Sequence, residues 1–266
     1  MTTDENALAQ LQEALEEARL DVERLGDTLN VSRGSGAMEA KANVDPVDFL
    51  NEIGELDDRQ RRRRIAGWVS GVQHVLLEPG DSDADQWDFT ESAGSLAMAL
   101  QVDSFVDGCR AAAGSPAWSQ PFDEDIVYVF LLELDMGIRV LTDAQFERWS
   151  ATRDRVVAGA RSMLFHKAQP VSPNRLEDYS GVEQLRVGDG YDAARALVLE
   201  DLMFGEFDDG SRVAVPTPDE LYFVREGTAE NVDRLREATR SRYDEADYPL
   251  SDAIYRYERG EPVRAD

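Results

Sequence analysis

The chain has 266 residues with 54 acidic and 28 basic side chains, which gives a formal net charge of −26 at pH 7. A negative field of this strength repels the phosphates of nucleic acids and the headgroups of anionic membranes, so we expect neither as a partner. No apolar run approaches the roughly 18 residues of a membrane span, and the N-terminus lacks a signal-peptide pattern. The sequence therefore predicts a soluble, cytoplasmic protein, and the single cysteine, Cys109, excludes an internal disulfide.

The acidity itself has two explanations, and the sequence leaves both open. A high-salt cytoplasm favours acidic surfaces across a whole proteome, and here the basic residues are almost all arginine, with Lys41 and Lys167 as the only lysines. A specific basic partner protein would favour the same charge, because opposite fields attract over long distances.

The first part of the chain predicts a helix, three strands and two further helices. Residues 6–19 place leucines on one helical face, and residues 18–34 alternate around Gly-Asp, which predicts a β-hairpin. Residues 38–45 alternate again and predict a third strand. Pro46 then marks the first position of a helix, and residues 56–77 predict another with an apolar stripe.

An acidic loop at 78–88 is the predicted boundary between two subdomains. The first covers 1–78 and is a helix–hairpin–helix arrangement, and the second covers 89–266. We expect them to pack as one continuous unit.

That loop also resembles a calcium loop, because Asp81, Asp83 and Asp85 stand at alternate positions. However, Gln86 stands where the sharp turn needs glycine, and Ser92 stands where a bidentate glutamate is required. We therefore interpret it as a solvated acidic loop without a metal.

The second part of the chain predicts strands that alternate with helices. Residues 126–134 are nearly all apolar, which predicts a central strand buried on both faces. Thr142 is a good N-cap for one long helix over 143–166. Residues 212–227 predict two edge-like strands broken by prolines, and a Gly at 260 predicts a closing hairpin. The fold class is thus α+β, with mixed, largely antiparallel sheets flanked by helices.

The sequence contains no recognisable catalytic motif. His74 and His166 stand alone, so no Cys/His cluster has the spacing of a transition-metal site, and His74 fits a core histidine. Cys109 would need a nearby base to act as a nucleophile. No nucleophile elbow, P-loop or dinucleotide fingerprint occurs. We therefore expect no catalytic residue, no metal and no cofactor.

One basic cluster, RQRRRR at 59–64, stands out in this acidic chain. It can form ion pairs with the acidic residues just before it on the same helix. Alternatively, Arg61, Arg62 and Arg63 can form a patch for an anion or an acidic partner, since isolated surface ion pairs contribute little stability.

The stretch VGDGYDAARALVLEDL, at 187–202, is the most distinctive in the chain. Gly188 and Gly190 permit the positive φ of a tight turn. Asp192 has the position of an N-cap for the helix that follows. Turn and capping chemistry together explain these three residues.

Turn chemistry does not explain Tyr191 and Arg195 equally well. Both could flank an exposed helix N-terminus, which attracts anions. The sequence therefore offers a candidate binding site of Tyr191, Asp192 and Arg195, with Asp135 and the 59–64 cluster as possible contributors.

These residues resemble a known family. DGYDAARAL is similar to the D-G-Y-D-A-S-R-I-L segment of the YtpQ-like proteins, a bacterial family of unknown function. DTLNVSR, DPVDFLNEIGELD, VYVFLLELDMGIRVLT, RVAVPTPDELYF and YRYERGEPV resemble further segments of that family in the same order, from about residue 10 to 263. The resemblance implies one α+β unit in a cytoplasmic bacterial protein and names no substrate or cofactor. Ala194 stands in place of the family's serine, which argues against a nucleophile there.

Two hypotheses of function follow. The first is a non-catalytic, acidic protein-binding module that takes a basic partner as an adaptor, a chaperone-like factor or an immunity-type inhibitor. The helix–strands–helix order of residues 6–77 is similar to that of the small acidic chaperones of type III secretion, which bind partner chains. The alternative is an enzyme or small-anion-binding protein with a site at the Asp192 helix start.

Overall fold

A computed structural model describes residues 5–34, 40–76, 87–134, 137–169, 172–204, 206–207, 210–258 and 260–265. It contains 43% helix and 29% strand with antiparallel sheets, so the predicted α+β fold class is confirmed. Asp135 and residues 78–86 of the acidic loop, including the three alternating aspartates, lie outside the described residues.

Helices occur throughout the chain. They are α1 Glu5–Glu17, α2 Val47–Ile53, α3 Asp58–Leu76, α4 Phe89–Ser92, α5 Ser104–Ala113, α6 Asp143–Arg148, α7 Arg153–Lys167, α8 Leu199–Leu202 and α9 Ala229–Glu245, with short 3-10 helices at Ala93–Ser95 and Ala193–Leu197.

Within the described ranges, the strands form three sheets. Strands β1 Asp21–Leu25, β2 Thr28–Arg33 and β3 Ala40–Val44 pair in the order β1-β2-β3. Strands β4 Leu96–Val102, β5 Ser119–Asp123, β6 Ile126–Leu134 and β7 Gly137–Val140 pair in the order β4-β6-β5, with β7 also on β6. Strands β8 Asn174–Arg175, β9 Glu183–Leu185, β10 Arg212–Thr217, β11 Glu220–Val224, β12 Ile254–Glu258 and β13 Glu261–Ala265 pair in the order β13-β12-β10-β11-β9-β8.

Contacts within the chain define two compact units. Unit 1 comprises Met1–Ser95, Val102–Gln120 and Val129–Ala151, and unit 2 comprises Leu96–Gln101, Pro121–Tyr128 and Thr152–Asp266.

In unit 1, the predicted first helix and hairpin are confirmed. α1 buries Leu8, Leu11 and Leu15, which form a core cluster with Leu29 and Val31 of β2. Strands β1 and β2 pair antiparallel around the Gly-Asp turn, because glycine accepts the φ of +67° that the turn requires.

The strand predicted at 126–134 is also confirmed. β6 spans Ile126–Leu134 and lies between neighbours in its sheet. The side chains of Val129, Phe130, Leu131 and Leu132 are all buried, as expected for a strand covered on both faces.

The prediction of one long helix over 143–166 is wrong. Thr142 does cap a helix, and its hydroxyl accepts from the Gln145 amide, but α6 ends at Arg148 and α7 begins at Arg153. Between them Trp149 is extended and buried, and its indole N–H donates to the Trp87 carbonyl at 2.9 Å. A tertiary contact from far along the chain therefore overrides the local helical pattern.

In unit 2, two strands form within the predicted stretch 212–227, but the prediction that they are edges is wrong. β10 pairs with both β11 and β12. Pro216 is tolerated in this interior strand because the β10–β11 register shifts between Ala214 and Thr217. The Pro216 carbonyl still accepts from the Leu250 amide. The closing β12–β13 hairpin is confirmed.

The six-stranded sheet of unit 2 is covered by helix α9 on one face. Leu235 and Ala238 of α9 join Ala214, Tyr222 and Val224 of the sheet in a buried cluster. Because side chains alternate along a strand, the intervening residues point to the other face. The 3-10 helix at Ala193–Leu197 also packs against β10 and β11.

Candidate functional site

The distinctive stretch at 187–195 connects β9 to the 3-10 helix in unit 2. Gly188 and Gly190 have φ values of +80° and +85°, so the prediction that they form a left-handed turn is confirmed. The turn directs the chain from the sheet into the Ala193–Leu197 helix, whose residues are all buried.

The prediction that Asp192 caps this helix is wrong. Asp192 has helical φ and ψ of −60° and −42°, and its side chain makes no capping hydrogen bond. Its carboxylate is fully buried and turns back to the preceding loop, where it accepts from the amides of Val187 at 2.9 Å and Gly188 at 3.0 Å. The Asp192 carboxylate therefore accepts hydrogen bonds from the loop amides and from Arg195 instead of from the first amides of the helix.

Arg195 is also fully buried, and the carboxylates of Asp189 and Asp192 bind its guanidinium. Nη1 and Nη2 donate to the two oxygens of Asp189 at 2.8 and 2.7 Å, and Nη1 also donates to Asp192 at 3.0 Å. A bidentate pair with a second carboxylate is a strong and specific arrangement. Burial raises the pKa of Asp189, but the hydrogen bond and charge of Arg195 outweigh it, so the net pKa is lowered.

Tyr191 completes this group and is only 2% exposed. The Lys167 ammonium lies 5.3 Å from the centre of its ring, within the range of a cation–π contact. The structure thus brings Tyr191, Asp192 and Arg195 together, but it buries all three, and the helix that contains Arg195 is a 3-10 helix of only five residues. This arrangement explains the motif as an ion network that fixes the loop to the helix.

Asp219, which the sequence analysis missed, lies against the same network. It follows Pro218 in the β10–β11 turn, and the Pro218 carbonyl accepts from the Ala193 amide at 3.1 Å. Burial raises the pKa of Asp219, and the negative charges of Asp192, Glu220 and Asp189 raise it further. A Pro-Asp pair signals a turn in sequence, but its proximity to the network is a tertiary feature.

Replacing Asp219 with asparagine is expected to stabilise the protein at pH 7 by roughly 0.5 kcal/mol, because the partly solvated carboxylate lies among like charges. Since the folded-state pKa of Asp219 is raised, the wild-type chain regains this stability as the pH falls through that pKa. Thermal unfolding at pH 7 and pH 4 would show the gain at the higher pH only. Asp178→Asn, at an exposed position, is the control with the same charge change. Equal effects of both variants would contradict the assignment.

The basic cluster at 59–64 lies in unit 1, not in the unit that contains the 187–195 network. Arg61 donates from Nε to the Ile53 carbonyl at 3.3 Å and from Nη2 to the Leu56 carbonyl at 3.0 Å, so it satisfies carbonyls at the end of α2. It also lies 3.7 Å from Asp58, which is the predicted pairing along the helix.

The last arginine of the cluster is buried as well. Arg64 is 9% exposed and pairs with Glu52 and Asp103. Arg62 is exposed, and Arg63 is half-buried. Two of the cluster's charges are therefore used inside unit 1, which leaves a smaller basic surface than the sequence indicates.

His74 fits the interpretation of a core histidine. Its Nδ1–H donates to the Ser70 carbonyl at 2.8 Å, and its ring meets Phe105 edge to face with centroids 5.2 Å apart. Burial lowers the pKa of His74, and the hydrogen bond to Ser70 opposes that shift.

In comparisons with known proteins, no family model, curated protein or solved structure matches this chain. Membership in the YtpQ-like family therefore stays a prediction. Among the helices that the structure describes, none is both long and apolar enough to cross a bilayer. In the same described ranges, no group of three or more His, Cys, Asp or Glu side chains is arranged to hold a metal ion.

Proposed function

We propose that this chain is a non-catalytic, acidic protein-binding module whose partner is basic. The observation that carries the proposal is the excess of carboxylates, which both units share. Unit 1 has 27 acidic against 12 basic residues, and unit 2 has 27 against 16. Both surfaces would therefore attract a cationic protein.

The basic groups that the sequence offered for an acidic ligand support the same conclusion. Arg195 is held by Asp189 and Asp192, and Arg61 and Arg64 are held inside unit 1. These guanidinium groups thus already bind carboxylates or carbonyls of the chain itself, while the excess carboxylates face solvent.

Helix α1 illustrates this outward charge. Its leucines face the core, while Glu5, Glu13, Glu16 and Glu17 are exposed, and the helix has no basic residue. An amphipathic helix whose outer face carries only acidic charges attracts a cationic partner, and no internal ion pair competes for those charges. Adaptor, chaperone-like and immunity-type roles in the cytoplasm all fit such a surface.

The experiment is affinity capture from a lysate of the native host on the immobilised full chain, at about 50 mM and about 500 mM NaCl. We expect one basic protein in stoichiometric amount at the lower salt concentration and its loss at the higher one, because screening weakens exposed charge pairs. The matched variant for the charge of α1 has glutamine in place of Glu5, Glu13, Glu16 and Glu17. If no protein is captured at either salt concentration, the proposal is wrong.

Adaptation to a salty cytoplasm predicts a different result. The free energy of unfolding would then rise steeply in molar KCl, since salt screens the repulsion among carboxylates, and no partner would be captured. Thermal unfolding in low and high KCl, run beside the capture, distinguishes the two explanations of the acidity.

A further inference from the structure

Phe204, just after α8 in unit 2, is exposed in an unusual backbone conformation. It is 82% exposed, more than any other large apolar side chain in the described ranges. Its φ is +49°, in the left-handed region that bulky residues rarely adopt. Neither burial nor backbone preference favours an aromatic residue here, and strained, exposed apolar positions concentrate at functional sites.

A surface groove lies beside it. The groove has a volume of about 360 Å³ and is lined by Arg161, Ser162, Phe165, Val198 and Asp201. The Phe204 amide donates to the Asp201 carbonyl at 3.4 Å, so one backbone turn connects the exposed ring to the groove wall.

Around this groove, carboxylates outnumber cations, because Glu200 and Glu261 lie next to the lining residues Arg161 and Asp201. Arg161 donates to Glu261 at 2.6 Å and to the Leu197 carbonyl at 2.7 Å, so its charge is neutralised within the chain. Glu200 and Asp201 are exposed, and no cation among the described residues forms an ion pair with Asp201. The half-buried Phe165 adds apolar surface, which leaves a cation with an aliphatic stem as the complementary occupant.

We propose that this groove and Phe204 together dock an amphipathic segment of the basic partner. An Arg or Lys side chain lies along Phe165 with its charged end at Asp201, and a neighbouring apolar side chain packs on Phe204. The inference rests on the proposed function, because it supplies the contact by which the acidic module holds a cationic chain.

The test is calorimetric titration of the full chain, at about 50 mM NaCl, with a synthetic helix of about four turns that carries leucine on one face and arginine on the other. The variants are Phe204→Gly and Asp201→Arg. Leu25→Ala, at another exposed apolar side chain, and Glu237→Arg, at an exposed carboxylate on α9, are the matched controls.

We expect Phe204→Gly to keep or raise the melting temperature, since glycine accepts the positive φ. The same variant should nevertheless weaken peptide binding about tenfold or more. Asp201→Arg should weaken peptide binding similarly, whereas the two control variants should change it less than about twofold. A peptide with serine in place of leucine should bind the wild-type chain more weakly than the leucine peptide does.

The inference is wrong if Phe204→Gly and Asp201→Arg bind the peptide as the controls do, if the serine peptide binds equally well, or if neither peptide binds the wild-type chain. The salt-sensitive capture of a partner decides the proposed function separately, so the two failures are distinguishable.

Discussion

Arg195→Met is expected to lower the free energy of unfolding by about 3–5 kcal/mol at pH 7, because it leaves the buried carboxylate of Asp192 close to Asp189 without a cation. Both carboxylates now bind the guanidinium at 2.7–3.0 Å, and Arg195 and Asp192 are fully buried. Urea unfolding of the variant and the wild-type chain at pH 7 measures the effect.

The pH dependence of this effect follows from Asp189. Its folded-state pKa is lowered, so its contribution to stability is present above the unfolded pKa and is lost as the pH falls through the folded value. The difference between the wild-type chain and Arg195→Met should therefore shrink below about pH 4.

Arg236→Met is the matched control for this prediction, since Arg236 forms an exposed pair with Asp233 on α9. Such surface pairs contribute less than about 1 kcal/mol. If Arg195→Met were as stable as this control, the guanidinium would not be a structural group, and a role in ligand binding would regain support.

Gly108→Ala is expected to destabilise unit 1 by about 3 kcal/mol or more, because α3 and α5 cross with their backbones in contact. A Cβ at Gly108 would lie 2.0 Å from the Trp68 carbonyl oxygen, and one at Gly71 would lie 2.2 Å from that of Phe105. Backbone atoms cannot move aside as a flexible side chain does, so the helices would have to separate.

Gly94→Ala provides the control for this crossing. Nothing lies within 4 Å of a Cβ at Gly94, and its φ is not positive, so the change should alter stability by less than about 0.5 kcal/mol. Thermal unfolding of the three chains measures both effects. Equal melting temperatures of Gly108→Ala and Gly94→Ala would show that the helices do not pack at this distance.

Local patterns predicted the elements whose causes are local. The leucines of α1, the glycine turn between β1 and β2 and the apolar run of β6 each follow from spacing or backbone preference alone. The break between α6 and α7 could not be predicted in this way, because it depends on the hydrogen bond from Trp149 to Trp87. The interior position of β10 likewise depends on its pairing with β12, which lies beyond helix α9 in the chain.

The candidate site shows the same limit. Sequence reasoning selected Tyr191, Asp192 and Arg195 correctly as neighbours, but it placed them at an exposed helix start. A signal of burial was present, because alanines, leucines and valine surround Arg195 from 193 to 199 without a polar face. The groove beside Phe204 has no comparable signal in the sequence, because its walls come from two separate segments, α7 and the residues around α8.

The most direct test of the account is to follow backbone amide NMR signals during titration with the leucine–arginine helix and, separately, with inorganic phosphate. The account predicts that the peptide shifts the amides of Asp201, Phe204 and other residues on the acidic surface, while those of Gly188, Tyr191 and Arg195 stay unchanged in both titrations. Saturable shifts at Gly188, Tyr191 and Arg195 with phosphate, and none on the acidic surface with the peptide, would contradict it.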